Sequence, residues 1–146
     1  MSIPSTHVAK TICKLSNWTT SDLRLQKLVY ISHMCYLGET ENDLVMEDFE
    51  AWTYGPVVPY LYHFVKGYGD KSIPNIFPRL GDVKKGTDEY NIIKRTVVET
   101  EDVTDSALVS FTHKKDGAWN RTLGNLRCNG IIPRQYILEE FNARSG

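Results

Sequence analysis

The chain has 146 residues, the size of one ordinary domain, and its 41% hydrophobic and 24% charged residues make a globular composition, not a disordered one. Its 17 Lys+Arg nearly cancel its 18 Asp+Glu, leaving a formal net charge of -1. Nucleic-acid binders draw most of their affinity from phosphate neutralisation and carry a basic excess, so nucleic acid is disfavoured as a partner.

Taken in chain order, Val8, Ala9, Ile12, Cys13 and Leu15 fall on one broad apolar face at helical spacing and predict a first helix over 5–15. The clearest segment follows. Leu25, Leu28, Val29, Ser32, Cys35 and Tyr36 recur as one helix face, with Arg24, Gln26, Lys27 and His33 expected mostly on the opposite one. Thr20 or Ser21 can cap its first amides, Asp22 opposes the helix dipole, and Gly38 is expected to stop it. Residues 47–54 alternate polar with apolar or aromatic side chains, the period of a short half-buried strand in a small sheet or hairpin. Gly55-Pro56 should break that strand, and Pro56 and Pro59 suit the first turn of a helix running through Leu61, Phe64 and Val65 to Gly67.

Pro74, Pro78, Gly81 and Gly86 interrupt the stretch 69–88, which predicts a long surface loop of the mobile or functional kind. Tyr90, Ile93 and Val97 then mark a helix, although Thr96-Val97-Val98 is β-branched and suits a strand as well. Thr104 is a ready N-cap with Asp105 behind it and Val103 placed to pack on Leu108, while Ala107, Leu108 and Phe111 are expected to be buried. A last helix should begin near Pro133, bury Tyr136, Ile137 and Phe141, and fray from Asn142 onward. The sum is a mainly α (α+β) single domain over 1–146, with about five to six helices and a small β-hairpin or short sheet.

The three cysteines, Cys13, Cys35 and Cys128, are an odd number with long gaps, which suits buried, reduced thiols. No stretch approaches the ~20 apolar residues that cross a bilayer, and the N-terminus lacks a charged-then-apolar leader pattern, so a cytoplasmic location without membrane contact is expected. There is no Cys-x-x-Cys, no His-Glu-x-x-His, no acidic calcium loop, no Gly-x-Ser-x-Gly and no Walker loop, so neither a metal, another cofactor nor a catalytic residue is assigned. His7, His33, His63 and His113 are scattered. The pairs Lys84-Lys85, Lys94-Arg95 and Lys114-Lys115 are short, flanked by acids, and read as solvated surface. Glu139-Glu140, or Glu99 with Glu101, can do acid–base work only in a cleft. A hydrolase using His63 or His113, and a DNA-binding protein, are the rivals this leaves.

One concentration stands out: Trp52, Tyr54, Tyr60, Tyr62, Phe64 and Tyr68 crowd around the Gly-Pro turn. Aromatic side chains bury much area at low entropy cost, in cores and at protein–protein hot spots alike. Trp52, Tyr54 and Phe64 are expected in the core. Tyr60, His63, Tyr68 and the neighbouring Lys71 are the candidates for partner contact.

Several of these pieces resemble one family in their order. Leu25-Gln26-Lys27-Leu28-Val29-Tyr30 resembles its Leu-Gln-Lys-Leu-Leu-Tyr helix, and Ala51-Trp52-Thr53-Tyr54-Gly55-Pro56-Val57, followed by Pro59 and Tyr62, its Ala-Trp-x-x-Gly-Pro-Val turn. Leu108 with Thr112-His113, then Trp119, resembles its Leu-x-x-x-Thr-His segment closed by a Trp. The family is the Panacea-domain, SocA-like antitoxins, and the resemblance spans roughly 5–141, with Ala118 as a departure where the family usually has Pro. It implies a bacterial, phage or mobile-element antitoxin that binds a cognate toxin and blocks it, in some members by delivering it to a AAA+ protease. Leu25, Leu28, Val29 and Tyr30 would then be shared core, and Gln26 and Lys27 would hold buried backbone carbonyls or charges. Gly55 and Pro56 would set the backbone, while Thr112 and His113 bond a neighbouring turn with Trp119 behind them. The expected function is a non-enzymatic antitoxin acting by protein–protein binding. The alternative is a phage or mobile-element inhibitor of a host defence protein built on the same domain.

Overall fold

The computed structural model describes residues 2–125 and 130–145. In chain order they form α1 (Ser5–Leu15), α2 (Asp22–Thr40), β1 (Glu50–Trp52), β2 (Gly55–Val57), α3 (Pro59–Val65) with a 3₁₀ turn over Lys66–Tyr68, α4 (Asp88–Glu99), α5 (Asp105–Thr112), α6 (Ala118–Leu123) and α7 (Arg134–Ser145). A mainly α architecture with one small antiparallel hairpin is as expected; α6 is a helix the periodicity did not reveal, its six residues being too short to show a face.

Helix α2 is the axis of the fold. It packs on α1, α4, α5, α7 and β2, so it is covered on every side. That corrects the amphipathic reading: Gln26, Lys27 and His33, expected to face outward, are as buried as Leu25, Val29 and Tyr30. Arg24 is half-buried and its guanidinium donates to the Thr100 and Val103 carbonyls, closing the turn between α4 and α5. Gly38 does not stop the helix either, since α2 runs on to Thr40 and ends in a left-handed Glu41. Gly38 is instead where α7 crosses, with the Phe141 ring occupying the space a Cβ would need.

Elsewhere the local chemistry works as read. Thr87 and Thr104 accept from the Tyr90 and Ala107 amides, starting α4 and α5, and Thr96-Val97-Val98 is helical. Ser21 precedes α2 without a side-chain cap bond. In α5 only Leu108 and Thr112 are buried; Ala107 and Phe111 are exposed, contrary to expectation, because one turn of this short helix meets the core. The C-terminus does not fray at Asn142: α7 continues to Ser145, where Arg144 bonds Glu140 and the Phe111 carbonyl and lies over the Phe111 ring.

The long connection after the 3₁₀ turn is irregular from 70 to 87 but anchored. Ile73, Phe77 and Val83 are buried in the common core, and the Ile73 and Val83 amides donate to the Thr20 carbonyl and Thr11 Oγ1. Packing on α1 and the start of α2 makes it part of the fold. Cys13 is buried, with its thiol pushed up to about 12, and Cys35 is half-buried; both are free thiols, while Cys128 lies outside the described residues.

Candidate functional site

The hairpin pairs Glu50 with Val57, Ala51 with Pro56 and Trp52 with Gly55, leaving Thr53 and Tyr54 as its turn. Gly55-Pro56 therefore opens a second strand, where a break was expected. The geometry explains the glycine. Gly55 has φ +120, and a Cβ there would lie 2.8 Å from Lys27 Cε and 2.9 Å from Thr112 Oγ1. Only Pro59 enters the first turn of α3.

Three elements hold this hairpin. From α2, Lys27 Nζ donates to the Pro56 carbonyl at 3.0 Å, and Gln26 Oε1 accepts the Val58 amide at 3.1 Å. From α6, Trp119 Nε1 donates to the Trp52 carbonyl at 2.6 Å. His113, at the end of α5, lies parallel to the Trp119 ring with centroids 3.7 Å apart. Thr112 bonds its own helix, at the Val109 carbonyl, and not the neighbouring turn. The resemblance motifs are thus one construction: Gln26, Lys27, Trp52, Gly55, Pro56, Thr112, His113 and Trp119 meet here, while Leu25, Leu28 and Tyr30 lie in the core.

Burial governs the charges. It pulls the Lys27 ammonium down to about 8, with Asp22 partly opposing, and it raises the Asp22 carboxyl against the pull of Lys27 and the nearby Gln26 amide. The His113 imidazole is lowered by burial and then by Lys27, with the Tyr54 main chain acting the other way.

Between the start of α2, the hairpin and α3 lies a cavity of about 700 Å³ whose walls include Asp22, Gln26, Trp52, Tyr54, Tyr62 and Lys66. Trp52 and Tyr62 meet edge to face there at 5.0 Å. Two buried polar atoms of this wall, Asp22 Oδ1 and Gln26 Nε2, have no close hydrogen-bond partner beyond the loose contact of the two side chains with each other. The sequence marks Asp22 as a helix-dipole residue and Gln26 as an outward-facing one that the resemblance assigns to backbone carbonyls or charges; Gln26 instead accepts a backbone amide. Their spacing of one helical turn was the available signal, but only the hairpin turns that face into a cavity.

Large aromatic side chains are exposed at the hairpin turn and along α3. Tyr54 is 67% exposed, Tyr60 51% and Phe64 45%, so Tyr54 and Phe64 are not the core residues expected. Their neighbours fill the interior first: Leu61 and Val65 take the buried face of α3, and Phe77 from the long connection lies beneath Phe64 at 5.7 Å. Tyr60 and Phe64 contact edge to face at 5.2 Å. Among the sequence candidates, Tyr60, His63 and Lys71 are exposed and Tyr68 is half-buried.

Of the carboxylates considered for acid–base work, Glu139 and Glu140 are committed elsewhere. Glu139 pairs with Arg121, and buried Glu140 accepts from Tyr30 Oη, the Ala118 amide and Arg144. The Lys84-Lys85, Lys94-Arg95 and Lys114-Lys115 pairs are exposed. Among the described residues, no group of three or more His, Cys, Asp or Glu could hold a metal, and no helix is long and apolar enough to cross a membrane.

Comparison with known proteins converges on the same motifs. Residues 25–120, which include the buried Leu25 and Trp119, match the family described as "Antitoxin SocA-like, Panacea domain". The chain is 31% identical to Antitoxin SocA of Caulobacter vibrioides (strain NA1000 / CB15N) over 84% of this chain and 74% of that protein. No solved structure matches the chain. On the extent of both matches, and on the way the hallmark residues assemble around one hairpin, the chain belongs to the SocA-like antitoxin family with a Panacea domain.

Proposed function

We propose that the chain is a non-enzymatic antitoxin that neutralises a cognate toxin protein by binding it, with the aromatic surface of α3 at the contact. One observation carries the reading: in a member of an antitoxin family, Tyr54, Tyr60 and Phe64 are large aromatic side chains left exposed on the hairpin turn and α3. Tyr and Phe held in solvent on a rigid helix and hairpin are the side chains that dominate binding energy when a partner covers them. Exposed His63, on the same helix as Tyr60 and Phe64, and exposed Lys71 with half-buried Tyr68 are the polar side chains assigned to the edge of the contact. A stable complex would bury at least ~1,200 Å² in total. Delivery of the bound toxin to a AAA+ protease is a step beyond binding, and the same experiment separates the two.

The test is co-expression with the product of the adjacent gene. That product should arrest growth alone, grow harmlessly with this chain, and co-purify with it at equal stoichiometry. Replacing Tyr60 and Phe64 together by Ala should weaken the complex at least ~10-fold with little change in melting temperature. Full protection by the double variant would remove α3 from the contact, and toxicity that the unaltered chain does not relieve would overturn the antitoxin reading. A toxin half-life that shortens only in the presence of this chain and an intact protease would mark an adaptor; an unchanged half-life with full protection would mark occlusion.

A further inference from the structure

The long connection after α3 ends in a groove with unanswered positive charge. This cavity, of about 430 Å³, lies between α1, residues 82–85 and the start of α4; Leu15, Val83 and Tyr90 give it apolar walls, and Lys14, Asp82, Lys84 and Lys85 surround them. Asp82 is already taken: Lys14 Nζ bonds its Oδ2 at 2.5 Å, and Lys10 Nζ lies 3.8 Å from its Oδ1. Lys84 and Lys85 are exposed, and among the described residues no side chain or carbonyl pairs with their ammoniums or with the Tyr90 hydroxyl. Three ammoniums against one carboxylate leave these walls positive, in a chain whose formal net charge is -1. The positive field is therefore local, and concave walls of low dielectric focus it.

The walls select the occupant. Ammoniums and a phenol O–H donate, so the group they meet is an anion rich in acceptors. A free inorganic anion would leave Leu15, Val83 and Tyr90 wetted at a cost, and a nucleic acid needs a longer basic track than Lys14, Lys84 and Lys85 provide. A carboxylate side chain next to an apolar one matches both parts of the groove. The groove also adjoins the proposed contact on α3. Phe77, which lies beneath Phe64, and Val83 of the groove are six positions apart on one connection, which bounds their separation at ~22 Å, within the span of a single interface of ~800 Å² per partner. We infer that the groove is a second contact for the partner protein and takes an acidic segment, whose carboxylates pair with Lys84 and Lys85 and accept from Tyr90 Oη while a neighbouring apolar side chain rests on Leu15 and the Tyr90 ring. This deepens the antitoxin reading and rests on it for the source of the segment, the toxin.

The groove can be tested without the toxin. The probe is the peptide N-acetyl-Glu-Leu-Glu amide, followed at low salt through the backbone amides of residues 83–87 and Tyr90 by NMR, beside N-acetyl-Gln-Leu-Gln amide and inorganic phosphate. Saturable shifts are expected for the acidic peptide, with at least ~5-fold weaker binding for the neutral peptide and for the double variant Lys84→Gln, Lys85→Gln. Most of that difference should vanish at ~0.5 M salt. Both lysines are exposed, so the double variant should melt as the native chain does. Absence of shifts up to ~20 mM acidic peptide, or equal binding of the two peptides, would overturn the groove. Phosphate binding as tightly as the acidic peptide, or a ~12-bp DNA duplex binding more tightly, would overturn it in favour of a free anion or a nucleic acid. With the toxin in hand, Lys84→Glu together with Lys85→Glu should slow association and weaken the complex at least ~10-fold at low salt; unchanged affinity would show that the partner does not enter the groove. Peptide binding by a chain that neutralises no toxin would instead remove the antitoxin reading and leave the groove standing.

Discussion

Lys27 and Pro56 are 29 positions apart, and the buried ammonium of the one donates to the carbonyl of the other at 3.0 Å. Through this bond the central helix grips the hairpin from beneath, and the carbonyl that accepts it belongs to a residue with no amide of its own to offer the ladder.

The ammonium is held with its pKa down at about 8, against an ordinary 10.5. The folded chain therefore releases this proton at lower pH than the unfolded chain does. Between about pH 8 and 10.5 the unfolded state binds more protons, and stability from this group rises with pH across that window after a constant penalty below it. Denaturant melts of the native chain and Lys27→Met at a series of pH values should show a difference that changes through this range. A difference independent of pH would mean that Lys27 is not desolvated as described.

His33 gives the acid counterpart. Its Nδ1 accepts the Val45 amide at 3.1 Å, which requires the neutral ring, and burial pulls its pKa down to about 4 from 6.5. As pH falls from 6.5 toward 4 the unfolded chain protonates first, so stability drops, by about 3 kcal/mol in all for a shift of this size. His33→Asn keeps an acceptor for Val45 without the titration, and its stability should fall less steeply over this range.

Gly55→Ala should be among the most damaging single changes, about 3 kcal/mol or more, because it combines φ +120 with a Cβ at 2.8 Å from Lys27 Cε. Gly67→Ala is the control: nothing lies within 4 Å of its Cβ position, and melting should move little. Equal effects of the two would contradict the close approach of α2 to the hairpin.

Gly38→Ala should destabilise although alanine is the better helix former by about 1 kcal/mol. The added methyl falls within the Phe141 ring, so α7 must move away from α2. Phe141→Leu should cost stability alone and less than additively beside Gly38→Ala, a coupling that a double-mutant cycle of melting temperatures reads directly.

Ala118 starts α6 with an amide that donates to Glu140 Oε1 at 2.9 Å, an acceptor shared with Tyr30 Oη and flanked by Arg144. Proline at a first helical position normally costs nothing, and the family usually carries it here. In this chain Ala118→Pro removes one donor from a buried carboxylate, and an expected loss of about 1–3 kcal/mol follows. A neutral outcome would show that Glu140 is satisfied by Tyr30 and Arg144 alone. Glu140→Gln, which weakens all three contacts, should lose more.

Local features were legible in the residues themselves. The spacing of Val8, Ile12 and Leu15 and of Leu25, Leu28 and Val29, the caps at Thr87 and Thr104, and Pro59 at the start of α3 all act within a few positions of the backbone they order. The motif order marked the family for the same reason, since it is written along the chain. Whether Gln26, Lys27 and His33 face water, why Gly38 and Gly55 must be glycine, and which aromatics remain outside depend on elements that arrive from far along the sequence. A helix face is buried or exposed by what packs on it, and α2 meets partners on every side, so its polar residues became internal clamps. Periodicity reports how apolar side chains are distributed around one helix; only the packed structure decides how many neighbours that helix has, and therefore which polar atoms are left facing a cavity instead of water.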